Sequence, residues 1–406
     1  MAITNWEIPR EEFIARQKKC AQMAKEKGLS GLLVWSKGGG TVDRYGDVLY
    51  LSNHYSSFPH IPDNPPAWAG RACSAVIIPA EGDPALLVEI PDYRRDLVAI
   101  GDVRYSINLP ELAARTIKEK GMAGGKVGLV ASETMLLGPY KLLLSHLPNV
   151  EFVAADDILT SMRVIKSPNE IKFMRKAGEV GSKILTAVME AVEPGKTEAE
   201  VILEGLKVAT LEGAATYDFP TASGPFNQFY CASSLPSWDT ARKLKKGEIF
   251  HVDMYGAYQG YYYDFSRTTI VGGEATAAQK EICEASKATC EEVIKAIRPG
   301  VTAEELAFVG MDFLKKIGYA GKEGHTASNV TAALAESFPS FGHSIGLGWE
   351  APWLMPGDKT VIRAGMCLAI ERAVGNDEVG TSAFEENLIV TESGAEVVSV
   401  TKKVWW

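Results

Sequence analysis

Asp253, Asp264, His343, Glu371 and Glu385 are the residues of this chain best equipped for chemistry. Four are carboxylates and one is an imidazole, and each is embedded in strand-like or turn-like sequence. Carboxylate oxygens suit hard divalent cations, and an added imidazole moves the preference towards Mn, Fe, Co or Zn. Four carboxylates are too many for one tetrahedral zinc. They suit two metals bridged by shared carboxylates, with a bridging water lowered in pKa to serve as nucleophile.

The carboxylates recur in a pattern. KKGEIFHVDMYG (245–256) aligns with RAGMCLAIERAV (363–374): with Gly247 on Gly365, Asp253 falls on Glu371. Asp264 in YYDFSRTTIV and Glu385 in AFEENLIVTE then each head a β-branched run. PGKTEAEV (194–201) and PGVTAEEL (299–306) form a second echo. Each is a Pro-Gly stop, then a Thr with a Glu in the third position after it, the capping box of a new helix. The expectation is two half-domains, each donating a carboxylate pair from a β-hairpin in matching register.

On these segments the chain resembles the pita-bread metallohydrolases, the family of aminopeptidase P, prolidase, methionine aminopeptidase and creatinase. RVIKSPNEIKFMRKAG (163–178) is similar to the segment that opens the family's catalytic domain. DMYGAYQGYYYDFSRTT (253–269) is similar to its two-aspartate hairpin, and FGHSIGLGWEAP (341–352) to its histidine turn. IRAGMCLAIE (362–371) and FEENLIVTE (384–392) are similar to its two glutamate strands, all in the family's order. The resemblance implies an α+β fold. A creatinase-type N-terminal mixed α/β domain (1–158) precedes a pita-bread catalytic domain (159–406) with a curved antiparallel sheet. It implies that Asp253, Asp264, His343, Glu371 and Glu385 hold two divalent transition metals, with Asp264 and Glu385 bridging. Manganese is the first expectation, with Fe, Co or Zn also compatible.

The elements that must position these residues are legible in outline. EEFIARQKKCAQMAKEKG (11–28) is amphipathic and stops at Gly28. LSGLLVW (29–35), DVLYLS (47–52), CSAVIIP (73–79), PALLVEI (84–90), KVGLVA (126–131) and VEFVAA (150–155) read as strands. PELAARTIKEKG (110–121) and LLGPYKLLLSHL (136–147) read as the helices between them. Ser167, Pro168 and Glu170 open the first catalytic-domain helix. Helices are expected over 169–193, 197–213, 275–297 and 303–317. Tyr261 to Tyr263 read as packing residues of the first hairpin.

The peptidases of this family carry further histidines around the metals: one on a loop before the first aspartate, one just before the ligand histidine, and one after it in a His-Glu pair. Here those places fall near Pro236, on Pro339, and on Trp349-Glu350. Amide hydrolysis also needs a proton for the leaving amine. Glu371, whose family position is thought to act as a base, and Glu350 are the candidates. His251 lies two residues before Asp253, on the same face of a strand, where an extra ligand or a proton shuttle would sit.

Aromatic residues are expected around the substrate. SGPFNQFYCASSLPSWD (223–239) stands where the family places its pocket loop and offers Phe226, Phe229, Tyr230 and Trp238. Trp349 and Trp353 flank the histidine turn. Such a wall suits a small ligand with an apolar or cationic group. NHYSSFPHIPDNPPAWAGR (53–71) is a long Pro-rich loop of the first domain. In related enzymes this domain reaches the neighbouring subunit's site. A homodimer is therefore expected, with Trp68, Arg71, His54 and His60 as candidates for a substrate carboxylate.

Composition narrows the classes. The chain has 406 residues, with 46% hydrophobic and 23% charged, ordinary for two globular domains. A net charge of −9 argues against a nucleic-acid partner. No apolar run reaches membrane-span length, so no membrane partner is expected. The N-terminus has neither a basic start nor an apolar core, and the six cysteines lack paired spacing. Both point to a cytoplasmic location. The expected activity is hydrolysis of a C–N bond, amide or peptide-like, in a small molecule or dipeptide through a metal-bridging hydroxide. The alternatives are a metal-dependent lyase on a small carboxylate, of the kind the family includes in a dimethylsulfoniopropionate lyase, a true Xaa-Pro dipeptidase or aminopeptidase, and a non-catalytic binder.

Overall fold

The computed structural model describes residues 8–38, 44–56, 73–224, 236–319, 340–376 and 379–406. The chain divides into two compact units, Met1–Arg163 and Val164–Trp406. Among the described residues, no helix is long and apolar enough to cross a membrane.

The first unit runs α1 (Arg10–Glu26), β1 (Gly31–Lys37), α2 (Gly46–Ser52), β2 (Cys73–Pro79), β3 (Ala85–Val88), β4 (Asp102–Tyr105), α3 (Leu109–Glu119), β5 (Lys126–Val130), α4 (Leu137–His146), β6 (Glu151–Ala154) and α5 (Asp156–Arg163). Its strands form one mixed sheet in the order β4-β3-β2-β1-β5-β6. Segment 47–52, expected as a strand, is the helix α2. Its carbonyls explain why: Tyr50 and Leu51 each accept a side-chain hydrogen bond from α1, from Arg16 and Gln17. Asn53 closes the helix in the left-handed region, with φ 58°. A short apolar run carries too little periodicity to separate helix from strand. The unit ends at Arg163 rather than at 158, because α5 buries Ile158, Leu159 and Met162. Met162 Sδ lies 3.4 Å from Cys20 Sγ of α1.

The second unit runs α6 (Pro168–Glu190), α7 (Glu198–Glu212), β7 (Ala214–Asp218), β8 (Thr221–Ser223), β9 (Ile249–Tyr258), β10 (Tyr261–Ile270), α8 (Ala277–Ala296), α9 (Ala303–Lys316), β11 (Gly342–Ile345), β12 (Trp349–Trp353), β13 (Cys367–Asn376), β14 (Gly380–Thr391) and β15 (Gly394–Val397). Each half contributes two helices and a long hairpin. All four helices begin with a complete capping box: Ser167 with Glu170, Thr197 with Glu200, Thr276 with Gln279 and Thr302 with Glu305. These caps satisfy the orphan N–H groups of each first turn and start both helix pairs alike.

The strands form two antiparallel sheets. One joins β10, β9 and β7, with β8 also on β9; the other has the order β12-β11-β13-β14-β15. The helices cover one side. Phe173 of α6 stacks on Tyr261 at 5.2 Å, and Gly181 leaves room for Tyr263 and Phe265. In the other half, Cys290, Val293, Leu306 and Leu314 pack with Leu368, Ile370, Phe384 and Leu388. The two sheets meet along β10 and β14. Arg267, fully buried, donates to the Glu385 carbonyl at 2.5 Å and to Glu386 Oε1 at 3.0 Å.

Candidate metal centre

Strand register decides which side chains share the open face. In β9–β10, Asp253 pairs with Ser266, Asp264 with Tyr255, and His251 with Thr268. Alternation places all six on one face, away from the helix-facing Tyr261 and Tyr263. In β13–β14, Glu371 pairs directly with Glu385. In β11–β13, His343 pairs with Ala369, two residues from Glu371 and on its face. Gly342, with φ +137°, lets β11 approach β13: a Cβ there would run into the Ala369 carbonyl.

Asp264, His343 and Glu385 are buried, and one ligand atom from each falls within 4.8 Å of the others. His343 Nδ1 lies 3.1 Å from the Ser344 carbonyl. That fixes Nε2 towards the carboxylates, 3.7 Å from Asp264 Oδ2 and 3.9 Å from Glu371 Oε1. Burial holds the imidazole pKa below its usual value, so it is neutral, the form that ligates. Burial, then one another's charge and that of Glu371, pushes Asp253, Asp264 and Glu385 above the ordinary carboxylate range. Asp253 Oδ1 and Glu385 Oε2 are buried without a hydrogen-bond partner. Like charges directly opposite, as at Glu371 and Glu385, destabilise a sheet. No Lys or Arg among the described residues forms an ion pair with any of the four carboxylates. Orphaned oxygens, facing carboxylates and an aimed imidazole form a donor set that fits divalent cations.

The registers of the two hairpins differ from the sequence expectation. Glu371 faces Glu385, but Asp253 faces Ser266. Ser266 is therefore the positional mate of Glu385, and Asp264 that of Ala383. The repeat matches at the first carboxylate of each hairpin and is offset at the second.

Other nominated residues separate clearly. His251 is fully buried, with Nδ1 3.2 Å from the Thr381 carbonyl, and burial lowers its pKa to about 4. It shares the cluster's face as a neutral imidazole. Glu350 does not. It pairs with Ser344, the neighbour of His343, and so lies on the opposite face. Its carboxylate binds Lys166 Nζ at 2.7 Å and the Leu347 N–H at 3.2 Å. These contacts tie Glu350 to the histidine turn and turn it away from the cluster, where the sequence reading nominates it as a proton donor. Trp349 is close to the cluster: its indole N–H donates to Asp264 Oδ2 at 2.7 Å. Trp353 lies 4.7 Å from the His343 ring. Trp238 packs edge-on to Phe219 at 6.5 Å. His54 is buried inside the first unit, its pKa lowered to about 4 by burial, a poor position for gripping a substrate carboxylate. His60, Trp68, Arg71, Phe226, Phe229 and Tyr230 lie outside the described residues.

Sequence reasoning missed four residues around the cluster. Asn387 and Thr268 tie β10 to β14 through side chains. Tyr255 lies two residues after Asp253 with its ring 5.0 Å from Trp349. Burial, then the charges of Asp218, Asp253 and Asp264, keeps its phenol protonated well above the usual range. Asp218 pairs with Tyr255 on the same face. Strand alternation from Asp253 would have found Tyr255, and from Glu385 would have found Asn387.

Known proteins share the family and the fold of this chain. The model of metallopeptidase family M24 matches residues 172–392. The Xaa-Pro dipeptidase of Pyrococcus horikoshii is 30% identical over 257 residues, spanning 62% of this chain and 67% of that protein. The ectoine hydrolase of Halomonas elongata is 23% identical over 354 residues, 82% of each. The crystal structure of the prolidase from Pyrococcus horikoshii OT3 shares the fold, with a TM-score of 0.77 at 22% identity, covering 97% of this chain and 100% of that one. With the family match spanning both carboxylate hairpins and the histidine turn, the chain belongs to metallopeptidase family M24 and is a metal-dependent hydrolase.

Proposed function

We propose that the chain hydrolyses a C–N bond in a small substrate at a dinuclear centre held by Asp253, Asp264, His343, Glu371 and Glu385. The observation that carries this is the pair of buried, unpartnered oxygens, Asp253 Oδ1 and Glu385 Oε2, within a set of like charges. Isolated buried carboxylates cost several kcal/mol each, of order 2–7 even for neutral polar groups, unless something compensates them. Two divalent ions would cancel the four negative charges. The oxygen-rich set favours Mn, with Fe, Co and Zn compatible.

Two such ions, when bound, supply an activated water and polarise the scissile carbonyl. The chain's own residues do the rest. His343 is fixed by the Ser344 carbonyl, and Asp264 is oriented by the Trp349 indole. Proton handling falls to Glu371. Its side chain is 28% exposed, whereas Asp264 and His343 are each 5% exposed, so it faces both cluster and solvent. Trp349 cannot exchange a proton at neutral pH, and Glu350 is turned away.

Elemental analysis of protein purified without added metal or chelator tests the centre. About two transition-metal ions per chain are expected. Asp264→Ala should lose metal and activity together. Unchanged metal content and turnover in that variant would sink the dinuclear centre. Release of an alkene product rather than an amine from carboxylate substrates would move the reaction to the lyase class.

A further inference from the structure

Beside the carboxylate cluster lies an aromatic wall whose ring faces the hydrolytic chemistry leaves unused, although the indole N–H of Trp349 holds Asp264. Tyr255 and Trp349 meet at 5.0 Å with their planes at 58°. Tyr262, on the same face, lies 6.4 Å from Trp349, and Tyr217 lies 5.5 Å from Tyr262. Tyr262 is fully buried and anchors the group; Tyr217, Tyr255 and Trp349 are partly exposed. Asp218 pairs with Tyr255 across β7 and β9, so its carboxylate stands at the edge of this wall. Among the described residues, both of its hydrogen bonds fall on Oδ1, one from the Ser237 hydroxyl and one from the Phe219 N–H at 2.8 Å. Oδ2 accepts no hydrogen bond from the described residues. Among the described residues no Lys or Arg forms an ion pair with Asp218. Two divalent ions would balance the four ligand carboxylates, which leaves the Asp218 charge uncompensated.

We propose that Tyr255, Trp349 and Asp218 form a subsite for a compact organic ammonium group of the substrate. This deepens the hydrolase proposal and rests on it for the identity of the bound group as part of a substrate. Aromatic faces present negative quadrupole to a cation and are strongest when the cation sheds little water. A carboxylate at the wall's edge adds charge complementarity and opposes anions. A guanidinium fits less well. Its fork seeks two free carboxylate oxygens, and Oδ1 of Asp218 is already engaged twice.

The test compares choline with 3,3-dimethyl-1-butanol, its uncharged isostere, by calorimetric titration of the metal-loaded full chain. Choline is expected to bind about tenfold tighter. Asp218→Asn and Tyr255→Leu should each reduce choline affinity about five- to tenfold and leave the isostere unchanged, while Tyr255→Phe retains most of the preference. Equal binding of the two ligands, or a preference that survives both substitutions, overturns the subsite. Asp218→Asn preserves shape and carries the test if Tyr255→Leu fails to fold. Metal content separates the two proposals. Two ions with no choline preference removes the subsite alone; a preference in a chain that takes up no metal supports the subsite and removes the hydrolase.

Discussion

Asn387 grips both backbone groups of Asp264. Its Nδ2 donates to the Asp264 carbonyl at 2.7 Å, and its Oδ1 accepts from the Asp264 N–H at 2.9 Å. Thr268 does the same for Ala383, donating to its carbonyl at 3.0 Å and accepting from its N–H at 2.9 Å. The two grips are equivalent. Thr268 lies two residues beyond Ser266, and Asn387 two beyond Glu385. Where β10 and β14 meet, paired side chains replace a backbone ladder, and one grip holds a candidate ligand.

Asn387→Ala should therefore act on metal binding as well as stability. It leaves a buried N–H and a buried carbonyl unpaired, each costing about 1–3 kcal/mol. Loss of an outer hydrogen bond to a ligand typically lowers metal affinity about 10- to 100-fold. Calorimetric metal titration with thermal unfolding checks both. Wild-type metal affinity in the variant would show that the grip serves the fold alone.

Trp349→Phe keeps an aromatic ring against Tyr255 and removes the N–H from Asp264 Oδ2. The expected result is a folded protein with about tenfold weaker metal binding, the lower end for such partners. Trp349→His would restore a donor and add a titratable group. If the indole acts as a fixed, non-titrating donor, the histidine variant should gain an additional ionisation in its pH–rate profile.

Glu350 and Glu371 should respond oppositely to the same change. The Lys166–Glu350 pair is nearly dry, with side chains 1% and 8% exposed. Glu350→Gln keeps the bond to the Leu347 N–H but leaves the Lys166 charge unbalanced. A stability loss of about 1–3 kcal/mol is expected, with the pH–rate profile unchanged in shape. Glu371→Gln should fold and lose about 10²–10⁴ in turnover, the usual contribution of a positioned acid–base. A displaced acidic limb in Glu350→Gln would return Glu350 to the proton path.

Much of this was legible in the sequence because it rests on local rules. The capping boxes at Ser167, Thr197 and Thr302 are fixed by residues three apart and form as read. The hairpin residues announce themselves by alternation and Gly turns. What was lost depends on distant register. Glu350 and Trp349, as strand neighbours, point to opposite faces, and only the pairing of Ile345 with Trp349 and of Ser344 with Glu350 decides which of them shares the face of His343. Asp264 and Glu385 both head β-branched runs, but hairpin length decides that Ser266, not Asp264, stands opposite Asp253. Segment 47–52 became helical because Arg16 and Gln17 take its carbonyls, a tertiary contact invisible to periodicity.

The carboxylate cluster also predicts how the metal-free protein responds to pH. Asp253, Asp264 and Glu385 have folded-state pKa values raised first by burial, Asp253 to about 8. A raised carboxylate pKa means the native state holds protons that the unfolded chain has released. The stability it contributes is complete below the unfolded value, about 4, and is lost as pH rises through the folded one. His251 and His54 have the opposite shift, to about 4, and cost stability only as pH falls below about 6.5. Between pH 7 and 8.5 the carboxylates therefore act alone among these groups. Chelator-treated protein should lose up to about 1.4 kcal/mol per pH unit for each proton still held. Metal-loaded protein should not, because the ions replace those protons, and metal binding should release protons to the buffer. Unfolding scans of both forms across that range check the sign. A metal-free protein that gains stability as pH rises there would mean the carboxylates are already ionised and compensated by other groups.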